Sequence, residues 1–308
     1  MKVLVTGHTG FVGRNMMEYF AQYFPDNWEL VAATDCGKKY GTKFDLQDEC
    51  DVRNMFHKHR PDVVVHLAAK VGGIGANMET PVQFFTHNMQ MGMNVLEGCA
   101  AYNAYCILVG TVCSYPRDCP VPFQESNLWN GEPELTNSAY GEAKRGLYKL
   151  LWAYNKQFGM KGTVLLPTNM YGKYDNFDPK TSHVIPALIR KFEDQTTVEV
   201  WGTGRATREF LHVDDFCHAV LLTILQQPDY PLPMNVAGGD EVSITELVHM
   251  IAKATDFDGK IVFNSSKPDG QPRRKVDGTL AMKTIGYRPA RRLEEEIPKV
   301  VQWYRSLK

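Results

Sequence analysis

Lys2-Val-Leu-Val-Thr6 runs directly into Gly7-His8-Thr9-Gly10-Phe11-Val12-Gly13, and this succession of apolar strand, glycine turn and helix decides the fold. An almost unbroken apolar run predicts a short strand covered on both faces. Behind the glycines, apolar residues recur at helical spacing over about 12–24. Gly7 permits the tight turn, Gly10 lets the backbone approach a diphosphate, and Gly13 lets helix and strand pack closely. Thr9, Phe11 and Val12 line the same turn, and the first amides of the helix hold the anion without a side-chain charge. A glycine triplet alone is a weak signal. Here a second strand, 29–35, ends in Asp35, whose carboxylate can accept hydrogen bonds from a ribose diol and repel a 2′-phosphate. Lys38 and Lys39 follow closely and partly offset that repulsion.

Outward from the turn, DVVVHLAA at 62–69, CILVGTVCSY at 106–115 and GTVLLPTNMYG at 162–172 read as further buried strands. Helical segments at 51–58, 83–102 and 139–157 separate them. Strands alternating with helices predict an α/β fold of Rossmann type, with a doubly wound parallel sheet. Leu67, Ala68, Ala69, Pro167 and Asn169, at the ends of strands, are expected along the cofactor, with Asp45 bounding its adenine side. Beyond residue 170 the regularity breaks into loops rich in Pro, Gly, Asp and Asn between shorter helices. We expect a dinucleotide-binding domain at 1–170, joined by about 210–237. A smaller C-terminal substrate-binding lobe takes 171–209 and 238–308.

The 308 residues are 44% apolar and 22% charged, an ordinary globular composition, and the formal net charge is −1. Such a balance excludes a nucleic-acid or membrane partner held by bulk charge. The first residues do not read as a signal peptide, and no run reaches the roughly 18 apolar residues of a membrane span. Seven cysteines, an odd number without zinc-like pairs, predict free thiols, no metal site and a cytoplasmic protein.

Tyr140-Gly-Glu-Ala-Lys144 sets a phenol and an ammonium one helical turn apart. Lys144 is expected to lower the phenol's pKa from about 10 and to hold a nicotinamide ribose. Tyr140 would then exchange a proton at the oxygen of the carbon undergoing hydride transfer. Such a pair is common by chance. Thr111, at the end of the fourth strand, supplies a third group able to bond the same oxygen.

The G-x-x-G-x-x-G spacing with this triad resembles the extended short-chain dehydrogenases. Further segments narrow the resemblance: Ala68-Ala-Lys-Val-Gly-Gly-Ile74, Cys113-Ser-Tyr-Pro116, Pro167-Thr-Asn-Met-Tyr-Gly172, Asp175-Asn-Phe177 and Ser182-His-Val-Ile-Pro-Ala187. Trp201-Gly-Thr-Gly204, Arg208-Glu-Phe-Leu-His-Val-Asp-Asp215 and Ser266-Lys-Pro-Asp-Gly270 follow in order. The set, spread over nearly the whole chain, resembles the GDP-L-fucose synthase family. That resemblance implies epimerisation of C3 and C5 of GDP-4-keto-6-deoxy-D-mannose, followed by reduction of C4. It assigns the acid/base pair to Cys113 and His183; a thiol with reference pKa of about 8.5 and an imidazole near 6.5 suit proton shuttling. The plain alternatives are a structural thiol and a helix N-terminal histidine. Asn169, Arg208, Lys191 and Arg190 are candidate sugar or diphosphate contacts, with Trp201 and Lys267 in the same group. Lys70 and Asn88 are expected to support the site. Arg273-Arg-Lys275 reads as loop decoration.

Departures from the family pattern bear on chemistry. Thr111 stands where many members carry serine, which keeps the hydroxyl. Val112 replaces a small polar residue, so a supporting hydrogen bond is expected to be missing. NADP(H) is the family's default, yet Thr9 and Asp35 occupy positions where its NADP(H) users commonly place basic residues, which favours NAD(H). Two alternatives stay open: an NAD-dependent 4-dehydrogenase, reductase or epimerase of a related GDP-sugar such as a GDP-heptose, and a dinucleotide-binding scaffold that turns nothing over. The helices at 83–102 and 139–157 are expected to form a four-helix homodimer interface.

Overall fold

A computed structural model describes residues 1–33, 44–179, 181–267 and 269–308. Asp35, Lys38 and Lys39 lie outside them. In chain order the first half comprises β1 (Lys2–Thr6), α1 (Phe11–Tyr23), β2 (Glu29–Ala33), α2 (Glu49–His59), β3 (Val63–His66), α3 (Ile74–Glu79), α4 (Pro81–Tyr102), β4 (Tyr105–Val109) and α5 (Ser138–Phe158). Then come β5 (Gly162–Pro167), β6 (Asn169–Tyr171), α6 (Val184–Asp194), β7 (Thr197–Trp201), β8 (Thr207–His212), α7 (Val213–Gln226) and β9 (Pro233–Val236). The chain closes with β10 (Asp240–Ser243), α8 (Ile244–Ala254), β11 (Lys260–Asn264), β12 (Arg273–Arg274), α9 (Thr279–Ile285) and α10 (Leu293–Arg305).

The central sheet has six strands in the order β2-β1-β3-β4-β5-β9, every pair parallel. Its strands alternate between two cores, as the period of two requires. Leu4, Val64, Cys106 and Leu108 face α2, α4 and α5, while Val3, Val5, Val65 and Ile107 face α1 and α7. This is the doubly wound Rossmann architecture, with helices on both faces. A third core gathers α6, α8 and α10 around β7 and β8. There β8 pairs with β10, β12 and the short β6.

Two expected strands end early, and both breaks serve the site. The segment 106–115 leaves the strand after Val109; the Gly110 amide still bonds the Leu165 carbonyl, and Gly110 has no room for a side chain beside the Tyr148 hydroxyl and Leu166. Thr111 and Cys113 thus hang beyond the strand in a short 3₁₀ turn, Val112–Ser114. The segment 162–172 divides at Thr168: β5 stays in the central sheet, and β6 crosses to pair with β8.

Asn235 on β9 brackets three distant segments of chain. Fully buried, it donates from Nδ2 to the carbonyls of Phe123 (3.0 Å) and Asp277 (3.2 Å) and accepts the Tyr115 hydroxyl at 2.8 Å. Each buried polar group left unpaired costs roughly 1–3 kcal/mol. Asn235→Ala should therefore lower stability by on the order of 3 kcal/mol, read as a fall in the urea midpoint; an unchanged midpoint would deny the bracket any weight.

Candidate active site

The carboxyl ends of β1, β3, β4 and β5 converge, as ligand sites in open α/β sheets do. Gly7 takes φ of 71°, and a Cβ there would lie 2.8 Å from the Ala68 amide nitrogen. At Gly13 a side chain would run into the Gly7 carbonyl, so α1 packs directly on the turn. A Cβ at Gly10 would meet only the Gly7 carbonyl, at 3.4 Å, which leaves the backbone approachable. The Gly10 amide bonds the Gly7 carbonyl at 3.1 Å, and His8 Nδ1 lies 2.9 Å from the Ala33 carbonyl, fastening the turn to β2. Thr9, Phe11 and Val12 follow around the start of α1, which has no side-chain cap. This glycine cradle fits a dinucleotide diphosphate held by helix amides. Thr6 Oγ1 bonds His66 Nδ1 at 2.9 Å and accepts the Ala68 amide at 3.2 Å, so Leu67, Ala68 and Ala69 pass beside the turn. Burial pushes His66 down to about 3, leaving a neutral imidazole. Asp45 is exposed and uses its carboxylate to cap the Gln47 amide.

Thr111, Cys113, Tyr140 and Lys144 meet at the end of β4. Lys144 Nζ donates to the Val109 carbonyl at 2.9 Å and stands 5.9 Å from the centre of the Tyr140 ring. Phe84 packs edge-on against the same ring, 6.3 Å between centroids. Thr111 Oγ1 accepts the Cys113 amide at 3.1 Å, which leaves the hydroxyl proton free for a ligand.

The expectation that Lys144 lowers the Tyr140 pKa is overturned. Burial, then the neighbouring Cys113 and Tyr148, raise the phenol well above its usual range. Burial also lowers Lys144, to about 8. Both side chains sit where charge is poorly solvated, and burial leads the shift of each. A phenol that stays neutral is a proton donor, the form a ketone reduction needs.

His183 occupies the N-cap position of α6 without capping it, so its ring is free for other work. Solvent reaches the side chain, yet the protein packed around it lowers its pKa below the ordinary imidazole value. It stands on a different element from Cys113, with no hydrogen bond between them among the described residues.

Cations cluster on the far side of the thiol. The register of β8 with β12 sets Arg208 beside Arg274, and Arg274 Nη1 reaches to 4.0 Å of Cys113 Sγ. Arg208 donates to the carbonyls of Thr207 (2.7 Å) and Gln271 (2.6 Å), and Arg274 to Gln271 Oε1 (3.1 Å). These hydrogen-bond partners are neutral, and neither guanidinium forms an ion pair among the described residues, with Asp269 acting on Arg208 only electrostatically. Burial and the Arg274 charge bring Arg208 down to about 10. The reading of 273–275 as loop decoration is therefore corrected at Arg274. The extended backbone turns Arg273 and Lys275 to Glu241 and sends the residue between them to the site. Only that alternation could have flagged it.

The remaining expected contacts divide. Asn88 is buried, its amide spent on both backbone groups of Lys70 and on the Phe84 carbonyl, so it braces the Lys70 segment from beneath. Lys70 Nζ lies 5.5 Å from the centre of the Phe84 ring. Pro167 ends β5, and Asn169 bonds the Glu209 carbonyl through Nδ2 at 3.0 Å. Lys191 donates to the Glu199 carbonyl at 2.7 Å, whereas Arg190 acts electrostatically on Tyr304 of α10. Trp201 is exposed at the end of β7 with Lys267 Nζ 5.4 Å from its ring centre, apart from the thiol cluster but beside the loop that Asp269 fastens.

Residues 3–237 match the model of the NAD dependent epimerase/dehydratase family. The chain belongs to that family. It is 37% identical to the GDP-L-fucose synthase of Escherichia coli strain K12, over 98% of this chain and 96% of that protein. A GDP-L-fucose synthetase from Naegleria fowleri bound to NADP superposes with a TM-score of 0.86 at 28% identity, covering 99% of this chain and 94% of that one. A GDP-6-OMe-4-keto-L-xylo-heptose reductase from C. jejuni gives 0.89 at 25% identity, covering 100% and 98%. The glycine cradle and the Thr111, Tyr140 and Lys144 cluster are thus set in an epimerase fold that relatives use on GDP-sugars.

Proposed function

We propose that the protein epimerises C3 and C5 of GDP-4-keto-6-deoxy-D-mannose and then reduces C4, giving GDP-L-fucose. The carrying observation is the meeting of Thr111, Cys113, Tyr140 and Lys144 at the end of β4, with Arg208 and Arg274 beside the thiol. The 4-keto group acidifies the C–H bonds on either side. Cys113 and His183 are the acid/base pair that removes each proton on one face and returns one on the other. At C4 the Thr111 hydroxyl donates a hydrogen bond to the ketone oxygen, and the neutral Tyr140 phenol gives it a proton. The nicotinamide cofactor supplies the hydride when bound. Lys144 positions the cofactor's ribose.

Arg208 and Arg274 hold the substrate diphosphate, with Lys191, Asn169 and Lys70 around it and Trp201 and Lys267 toward the base. Charge-assisted bonds to phosphate are the strong kind. Arg274→Met should raise KM for the nucleotide sugar about tenfold; an unchanged KM in steady-state assays would remove it from the clamp. The pH profile has a worked sign. Lys144 loses its charge as pH rises through about 8, so cofactor oxidation should fall on that side. His183 stays neutral until pH drops below the usual imidazole range, so the acid limb should lie below 6.5. A profile rising steadily from pH 8 to 10 would contradict this.

The decisive experiment is oxidation of NADH and NADPH, side by side, with enzymatically generated GDP-4-keto-6-deoxymannose. GDP-fucose as product supports the reading; no oxidation of either cofactor sinks it. We read Asp35 and Thr9 as favouring NAD(H), against the NADP held by the Naegleria relative, and the same assay decides the preference. The likeness to a GDP-heptose reductase supports a second reading, reduction of another 4-keto GDP-sugar, which a panel of such ketones separates. Residues 1–170 with 210–237 form the cofactor domain in this reading, and the remainder the substrate lobe. We place the protein in the cytoplasm as a homodimer. Trp152 and Phe158 on α5 and Val82 and Phe85 on α4 leave apolar surface for that interface.

A further inference from the structure

Tyr148 lies on α5 one turn beyond Lys144 and two beyond Tyr140, so the three share a helix face. Its ring is buried, and its hydroxyl accepts the Thr111 amide at 3.1 Å. The same hydroxyl lies 3.0 Å from Ser114 Oγ, which also reaches the Gly141 carbonyl at 3.4 Å. Gly110 makes room for this arrangement, since a side chain there would strike the Tyr148 hydroxyl. Thr111 in turn accepts the Cys113 amide through Oγ1. One chain of hydrogen bonds therefore runs from Tyr148 to the main chain of Thr111, and from its hydroxyl to the main chain of Cys113.

Val112 cannot supply a polar contact in this turn, and its side chain is buried in the core. Tyr148 and Ser114 supply one from the opposite side. We propose that Tyr148, oriented by Ser114, is the positioning residue that sets both Thr111 and Cys113 for proton handling. Tyr148 touches no substrate; it lies beneath the turn that does. Burial raises its pKa above the usual phenol range, so it remains a neutral partner throughout the working pH span. Losing it would leave the Thr111 amide unpaired and the turn free to shift, and small misplacements of reacting groups are costly.

This inference rests on the proposed function, and two measurements separate their failures. In the full chain, Tyr148→Phe, Ser114→Ala and the double variant are assayed for cofactor oxidation with GDP-4-keto-6-deoxymannose. We expect kcat to fall about tenfold or more in Tyr148→Phe with both KM values within about twofold, and less in Ser114→Ala. The double variant should match Tyr148→Phe, because Ser114 acts through the phenol. An unchanged kcat, a loss confined to KM, or multiplying effects would overturn the proposal. The second measurement needs no substrate: the rate of Cys113 alkylation by iodoacetamide between pH 7 and 9, followed by peptide mass spectrometry. It should change several-fold in Tyr148→Phe while the exposed Cys50 reacts as before. Equal Cys113 rates in wild type and variant overturn the proposal. If the wild type is inert toward the sugar nucleotide, the functional reading fails and the alkylation result alone decides Tyr148. Should Tyr148→Phe not fold, the same two readouts on Ser114→Ala decide it.

Discussion

Tyr140→Phe should reduce cofactor oxidation by about 10²–10⁴-fold, the usual worth of a positioned general acid, while leaving substrate and cofactor binding within a few-fold. The substitution removes one oxygen and keeps the ring against Phe84 and Lys144. The loss falls on kcat because the phenol's proton is transferred only as C4 receives hydride, and an interaction made only in the transition state shows itself in kcat. The raised pKa sharpens the expectation. A phenol kept neutral by burial carries its proton at every working pH, and the phenyl ring that replaces it has none to give at any pH. Single-turnover hydride transfer is the measurement. Turnover within threefold of wild type would remove Tyr140 from the reaction. Loss of cofactor binding along with turnover would recast it as a structural member of the cofactor pocket.

The second large effect concerns epimerisation. In ²H₂O the wild type should place deuterium at C3 and C5 of the sugar, because each inverted carbon exchanges its proton with a solvent-equilibrated group. Cys113→Ser should suppress that entry by about 10²-fold or more, since a hydroxyl gives and takes protons near neutrality far less readily than a thiol. Fold and cofactor binding should survive, as the Cys113 amide still bonds Thr111 and the side chain is only partly buried. Mass spectrometry of the recovered nucleotide sugar reads the label. Normal deuterium entry would assign the epimerase chemistry to another group, with His183 the next to test. Suppressed entry with C4 reduction intact would divide the activities cleanly between Cys113 and Tyr140.

Local spacing determined much of this protein. The glycine turn with its flanking strand and helix is written in consecutive residues, because a tight turn and a close helix contact each exclude side chains at fixed positions. Tyr140 and Lys144 are legible for the same reason, as a single helical turn sets them together. Apolar runs announced the parallel strands, and their alternation between two cores follows from the strand period. Tertiary structure decided the rest. Arg274 reaches Cys113 across 161 residues of chain, and β12, which delivers it, is only two residues long, too short to carry a pattern. Asn88 was expected to support the site, but what it supports is set by the fold, which spends its amide on the Lys70 backbone and the Phe84 carbonyl. Tyr148 carries no motif, and its role appears only where Gly110 opens space beneath Thr111. The pKa of Tyr140 likewise answers to burial, which depends on every segment packed around it, and burial is a property that spacing along the chain does not encode.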